Sequence, residues 1–120
     1  MYKNEIEFYL GDIRDYESVF KAMNNCKVCL HLAALIGIPY SYISPLAYVR
    51  TNIEGTYNVL ESAKNLNLEQ IIITSTSEVY GSAKTIPINE EHRFFAQSPY
   101  SASKIAADQL AISYYNAFDT

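Results

Sequence analysis

Glycine is scarce in this 120-residue chain: Gly11, Gly37, Gly55 and Gly81 are the four it has. No two stand close enough to form G-x-x-G-x-x-G, so these residues do not encode the glycine-rich turn that seats a pyrophosphate on a helix N-terminus. Positive charge is also short. Nine Lys and Arg against thirteen Asp and Glu give a net charge of −4, with no basic patch to draw in nucleic acid. No apolar run is long enough to span a membrane, and Met1–Glu5 lack the apolar core of a signal peptide, so the chain reads as a soluble cytoplasmic protein. Cysteine occurs twice, as Cys26 and Cys29 in a C-x-x-C spacing. A redox pair would open a helix, and a zinc half-site would need a second pair of ligands. These two enter an apolar run that reads as a strand, and His31 and His92 supply no ligand spacing. Buried structural cysteines and no metal are the expectation. Internal repeats, low-complexity tracts and linkers are absent.

Hydrophobic residues are plentiful, at 49%, enough for the modest core of one domain. In chain order, Glu5 to Leu10 reads as a short strand ending in the turn Gly11-Asp12. Asp15 caps a helix whose Tyr16, Val19, Phe20 and Met23 repeat at i, i+3, i+4 and i+7. Val28 to Leu32 is a second strand, and Ile38 to Ser44 a loop whose Tyr40 and Tyr42 either line a pocket or cover apolar surface. Ser44-Pro45 opens a long helix with an apolar stripe of Val49, Ile53, Tyr57 and Leu60, fading near Asn65–Asn67, with Gly55 as a close-packing point. Gln70 to Thr74 carries Ile71-Ile72-Ile73, the β-branched run of a parallel strand buried on both faces. A polar loop, Gly81 to Gln97, precedes a last helix from Pro99 towards Phe118. Alternating strands and helices predict an α/β fold with a parallel sheet, and ligands in such sheets bind beyond the carboxyl ends of the strands. Those ends are Gly11-Asp12, Leu32-Ala33-Ala34 and Ser75-Thr76-Ser77-Glu78, where small and hydroxyl residues gather.

The chemistry concentrates in Tyr100-Ser101-Ala102-Ser103-Lys104. Ser98-Pro99 places a hydroxyl at the N-cap and proline at the first helical position, so Tyr100 falls in the first turn and Lys104 one turn on, on the same face. A neighbouring ammonium and the positive end of a helix dipole both favour a phenolate, which lets a tyrosine take a proton from a sugar or alcohol hydroxyl while hydride leaves the carbon beneath. Among eleven tyrosines a lone Tyr-x-x-x-Lys arises by chance; the Ser/Thr-rich strand end upstream gives it weight.

Five segments in order resemble the extended short-chain dehydrogenase/reductases, the nucleotide-sugar epimerases and dehydratases. They are Gly11-Asp12-Ile13-Arg14-Asp15, His31-Leu32-Ala33-Ala34, Thr51-Asn52-Ile53-Glu54-Gly55-Thr56, Ser75-Thr76-Ser77-Glu78-Val79-Tyr80-Gly81 and Tyr100–Lys104. Leu35 to Tyr42 and Gln97 to Leu110 resemble the NAD-dependent 4,6-dehydratases of nucleotide-linked N-acetylglucosamine, on routes to legionaminic-type sugars of cell-surface polysaccharide. The resemblance implies NAD as cofactor, with Asp12 and Ile13 at the adenine, Leu32, Ala33 and Ala34 along the dinucleotide, and Thr51 near it. It implies Tyr100 as the base that accepts the O4 proton, Lys104 on the nicotinamide ribose, Thr76 bonded to the reacting hydroxyl and Glu78 as the group that removes the C5 proton. Ser77, Glu78 and Tyr100 would contact the sugar, which is UDP- or GDP-linked. A homodimer through the helices starting at Pro45 and Pro99 is also implied.

Two departures qualify these expectations. Many 4,6-dehydratases carry Thr-Asp-Glu where this chain has Thr76-Ser77-Glu78, a pattern shared with UDP-glucuronate decarboxylases; a UDP-sugar 4-epimerase needs only the Tyr/Lys pair. The glycine-rich first βαβ unit and the C-terminal substrate domain of a doubly wound Rossmann-like fold have no counterpart in residues 1–120, which therefore read as its central part. On that basis the 120-residue chain alone is expected to be inactive, or a remnant that at most self-associates.

Overall fold

A computed structural model describes residues 6–119. In order, the elements are α1 (Tyr16–Met23), β1 (Val28–His31), α2 (Ile38–Ile43), α3 (Pro45–Tyr48), a π-helical turn (Val49–Glu54), α4 (Gly55–Leu66), β2 (Gln70–Ile73), a 3-10 turn (Ser77–Tyr80) and α5 (Pro99–Phe118). β1 and β2 pair in parallel, Val28 opposite Gln70 through His31 opposite Ile73. The expected α/β architecture is therefore present as a two-stranded parallel sheet, with the α3–α4 segment as its crossover.

One face of this sheet is covered. Cys29, His31, Ile71 and Ile73 alternate towards the helices, and the core joins Val19 and Met23 of α1 to Val59 and Ala63 of α4, with Ile13, Leu66 and Leu68 around it. Val19, Met23 and Val59 each contribute about 1.5–3 kcal/mol through burial. The exposed Lys27–Glu69 ion pair contributes at most about 1 kcal/mol, so packing of α1 on α4 governs this half of the fold. Gly55 is the close-packing point expected of it: an added Cβ would stand 2.6 Å from Ile13 Cδ1. Asn58 Nδ2 holds the same segment by donating to the Ile13 carbonyl at 2.9 Å.

Several expectations are corrected. Glu5 lies outside the described residues, and residues 6–10 form no strand; Phe8 and Leu10 are fully or almost fully exposed, with no neighbouring strand to complete a ladder. Ile72 is not buried on both faces, because Val28, Leu30 and Ile72 form an uncovered apolar sheet face. The loop expected over Ile38 to Ser44 is α2, started by Pro39 in its first turn, with Tyr40 and Tyr42 on its exposed side. The long helix from Pro45 is interrupted by the π turn, whose extra residue resets the face that points inward. Asn52 is consequently buried, whereas Val49 and Tyr57 of the expected core stripe are exposed. Cys26 is exposed in the turn before β1 and Cys29 is half-buried, so only the second behaves as a structural cysteine. Burial raises the Cys29 thiol pKa, with a smaller push from Cys26.

α5 starts as its sequence dictates. Ser98 Oγ accepts from Ser101 N–H and Ser101 Oγ accepts from Ser98 N–H, both at 3.0 Å, with Pro99 in the first turn. Farther along, Tyr114 donates to Glu61 at 2.8 Å and Lys64 pairs with the same carboxylate, tying α5 to α4. Burial and the Glu61 carboxylate push the Tyr114 phenol pKa upward, and Lys64 together with Tyr114 lowers that of Glu61. Among the described residues no helix is long and apolar enough to cross a membrane.

Candidate active site

The carboxyl ends of β1 and β2 open into a cleft of about 60 Å³ lined by His31, Leu32, Ala33, Ala34, Ile36, Thr74, Ser75, Tyr100 and Lys104. Five of the residues expected at the cofactor, Leu32, Ala33, Ala34, Tyr100 and Lys104, therefore meet here. Strand geometry delivers the first group and the capped start of α5 delivers the second. Lys104 is buried, and its ammonium donates to the Thr74 carbonyl at 2.6 Å. Three N–H donors leave it two for a ligand. Burial lowers the Lys104 pKa, while the Asp108 carboxylate one turn on opposes that. The Tyr100 ring is 7% exposed and packs edge-on to Tyr48 with centroids 6.1 Å apart. Its hydroxyl has no hydrogen-bond partner among the described residues.

Thr76, Ser77 and Glu78 lie just beyond the cleft on the 3-10 turn. Thr76 Oγ1 caps that turn by accepting from Glu78 N–H at 3.3 Å, and its own O–H stays available as a donor. Glu78 is half-buried and Ser77 exposed. The turn is fixed behind by Gly81, at φ +62°, where an added Cβ would stand 2.6 Å from the Phe95 carbonyl oxygen. Asp12 and Ile13 line a separate cavity of about 290 Å³ with Leu10, Gly11, Ser18 and Val19. Arg14 forks onto the Asp12 carboxylate at 2.5–3.0 Å, and this hydrogen bonding holds its pKa at about 2, so it stands as an ionised acceptor. Thr51 is half-buried in the π turn and lines neither cavity.

Three further residues, to which the sequence assigns no role in the site, hold it together. Asn52 accepts from Leu35 N–H at 2.8 Å and donates to the Leu35 carbonyl and to Ser103 Oγ, both at 2.9 Å. It thus ties the loop after β1 to the turn of α5 that carries Lys104. Tyr48, 1% exposed, donates to the Gly37 carbonyl and backs the Tyr100 ring. His31 closes β1 and bonds Thr56 Oγ1 through Nε2 at 3.0 Å. The signal for Asn52 was a polar residue at a core-facing helical position, obscured because the π turn shifts that register.

His31 yields a pH prediction. Burial lowers its pKa from 6.5, with a smaller contribution from the Lys104 charge. The unfolded chain then binds the proton first, so stability is complete above pH 6.5 and declines as pH falls below it, by no more than about 1.4 kcal/mol per pH unit. Urea unfolding between pH 7.5 and 5.5 should show this decline, and His31→Gln should flatten it.

The small side chains of Ala33 and Ala34, the exposed apolar Leu32 and the inward ammonium suit the flank and ribose of a dinucleotide, so these residues fit that class of cofactor. Among the described residues no group of three His, Cys, Asp or Glu could hold a metal ion.

Known proteins agree with this architecture. Residues 1–120 match the family described as GDP-mannose 4,6 dehydratase. The dTDP-glucose 4,6-dehydratase of Streptomyces antibioticus is 37% identical over 110 residues, covering 92% of this chain and 33% of that protein. Among solved structures, the dTDP-glucose 4,6-dehydratase DesIV of Streptomyces venezuelae, with NAD bound, has a TM-score of 0.87 at 29% identity over 91% of this chain and 34% of its own. The UDP-glucose 4-epimerase of Thermus thermophilus, also with NAD, has a TM-score of 0.88 at 26% identity over 96% of this chain and 38% of its own. The chain belongs to the GDP-mannose 4,6-dehydratase family, within the extended short-chain dehydrogenase/reductases of Rossmann fold. It spans about a third of the length of the curated relatives it matches.

Proposed function

We propose that residues 1–120 are the central part of an NAD-binding Rossmann-like domain in a nucleotide-sugar 4,6-dehydratase that works in the cytoplasm. The observation that carries this reading is the convergence of Tyr100 and Lys104 with Leu32–Ala34 at the carboxyl ends of both strands. The uncovered face of Val28, Leu30 and Ile72 supports the view that further parts of such a domain pack here. Bound NAD supplies the oxidation at sugar C4 and the return reduction at C6. Tyr100 accepts the proton from O4, Thr76 orients that oxygen through its free O–H, and Lys104 holds the ribose while its charge favours the phenolate. Asp12 and Ile13 bind the adenine, and Thr51 lies near the cofactor.

Glu78 takes the proton at C5, which becomes acidic once C4 is a ketone, and water departs from C6. Ser77 contacts the sugar and lacks the acid strength to protonate that leaving oxygen, so another group, or Glu78 acting by a different route, supplies that proton. The likeness of Leu35–Tyr42 and Gln97–Leu110 to the corresponding dehydratases supports an N-acetylglucosamine-type, UDP- or GDP-linked substrate. Exposed Leu46, Val49 and Tyr57 support a homodimer through the helices starting at Pro45 and Pro99.

The test is the fate of a deuterium at sugar C4 in an active protein carrying these residues. A dehydratase moves it to C6 of a 4-keto-6-deoxy product. Return of the label to C4 in a pair of epimers would establish the 4-epimerase alternative, which the epimerase structure of similar fold keeps in view.

A further inference from the structure

Two consecutive residues at the end of β2 are gripped by two residues of α5 that lie one helical turn apart. The Thr74 carbonyl accepts from Lys104 Nζ at 2.6 Å, and the next residue, Ser75, donates its hydroxyl to the Asp108 carboxylate. The polarity is complementary: the cation takes the strand's acceptor and the anion takes its donor. Lys104 and Asp108, at i and i+4, also face each other along the helix. The segment held this way continues directly into Thr76, and the helix that holds it begins with Tyr100.

We propose that Asp108 is a positioning residue for this site: by clasping Ser75 to α5 it sets Thr76 against Tyr100, and it supplies the counter-charge for the Lys104 ammonium. The proposal rests on the reading of Tyr100, Thr76 and Lys104 given above. A solvated surface acid would bond water and have no reason to choose the strand-end hydroxyl. Asp108 is half-buried, and its charged carboxylate makes a stronger acceptor for the Ser75 hydroxyl than a neutral group would. The charged and titratable groups around Lys104 are few: His31 from β1, with Tyr100 and Asp108 from α5, while β2 contributes only the uncharged Thr74 and Ser75. Asp108 is the anion among them. Burial disfavours the ammonium and Asp108 opposes it, so removing this carboxylate drives the Lys104 pKa lower.

The test follows the Lys104 side chain by NMR titration in the purified 120-residue protein, with amide hydrogen exchange at Thr74, whose N–H bonds the His31 carbonyl, measured in parallel. In Asp108→Asn the Lys104 midpoint should move to lower pH, and Asp108→Glu should restore it towards the parent. In Ser75→Ala, which keeps the charge and removes the clasp, exchange at Thr74 should quicken about tenfold, the equivalent of one lost charge-assisted hydrogen bond. An unmoved Lys104 midpoint in folded Asp108→Asn overturns the proposal. Unchanged exchange in Ser75→Ala overturns it too, and decides the matter should Asp108→Asn fail to fold. Neither readout needs cofactor or sugar, so failure of the proposed chemistry in an active protein that carries these residues would leave this test standing.

Discussion

Replacing Tyr100 by phenylalanine is expected to lower kcat by about 10²–10⁴-fold in an active protein that carries these 120 residues, the range that one general acid–base group supplies. The substitution removes a single oxygen, and that oxygen has no protein partner among the described residues. The edge-on packing against Tyr48 needs only the ring and survives. Stability and KM should therefore change little while turnover collapses, which separates loss of a proton acceptor from loss of fold. Steady-state kinetics with a thermal melt of the same variant checks both halves. A variant that retains turnover would remove Tyr100 from the chemistry.

Asn52→Ala should have the largest effect on stability. Three hydrogen bonds disappear, and the Leu35 N–H and carbonyl lose a partner in a part-buried loop while Ser103 Oγ keeps its bond to the Tyr100 carbonyl. Each unsatisfied buried group costs about 1–3 kcal/mol, so the total loss is about 2–4 kcal/mol after partial rehydration of the loop. For a domain of this size that lowers Tm by roughly 10 °C. Asn52→Asp makes a sharper version: it keeps the acceptor for Leu35 N–H but sets a second acceptor against the Leu35 carbonyl and Ser103 Oγ, and it should be at least as damaging. Urea denaturation of both variants against the parent provides the measurement.

The parts of this chain that sequence made legible are those fixed by local chemistry. Ser98-Pro99 reads as a helix start because a hydroxyl acceptor and a preset φ act within one turn, and the capping box of α5 bears that out. Asp15 caps α1 for the same reason. Gly55 as a packing point was legible from a glycine inside an amphipathic pattern. What escaped depends on non-local geometry. The π turn reassigns which side chains of residues 49–60 face inward, so Asn52 enters the core and Tyr57 leaves it. Ile71-Ile72-Ile73 has the composition of a doubly buried strand, whereas burial of the second face requires elements that pack on it, and Ile72 stays exposed. The residues expected to form one site divide in two for a similar reason. Leu32–Ala34, Tyr100 and Lys104 come from adjacent strand and helix ends, but Asp12 and Ile13 line their own cavity beside α1. The hydroxyl, amide and carboxylate links through Asn52, Ser75 and Asp108 connect residues 17 to 51 positions apart, and no local pattern marks them.

A crystal structure of an active protein bearing residues 1–120, with NAD and a nucleotide sugar bound, tests most directly whether Tyr100, Thr76 and Lys104 act together on one sugar carbon. The predicted result places sugar O4 within hydrogen-bond distance of both the Tyr100 hydroxyl and Thr76 Oγ1, with Lys104 Nζ on the nicotinamide ribose and Glu78 beside C5. A sugar seated away from the β1–β2 strand ends, or a dinucleotide that leaves Lys104 without contact, would contradict it.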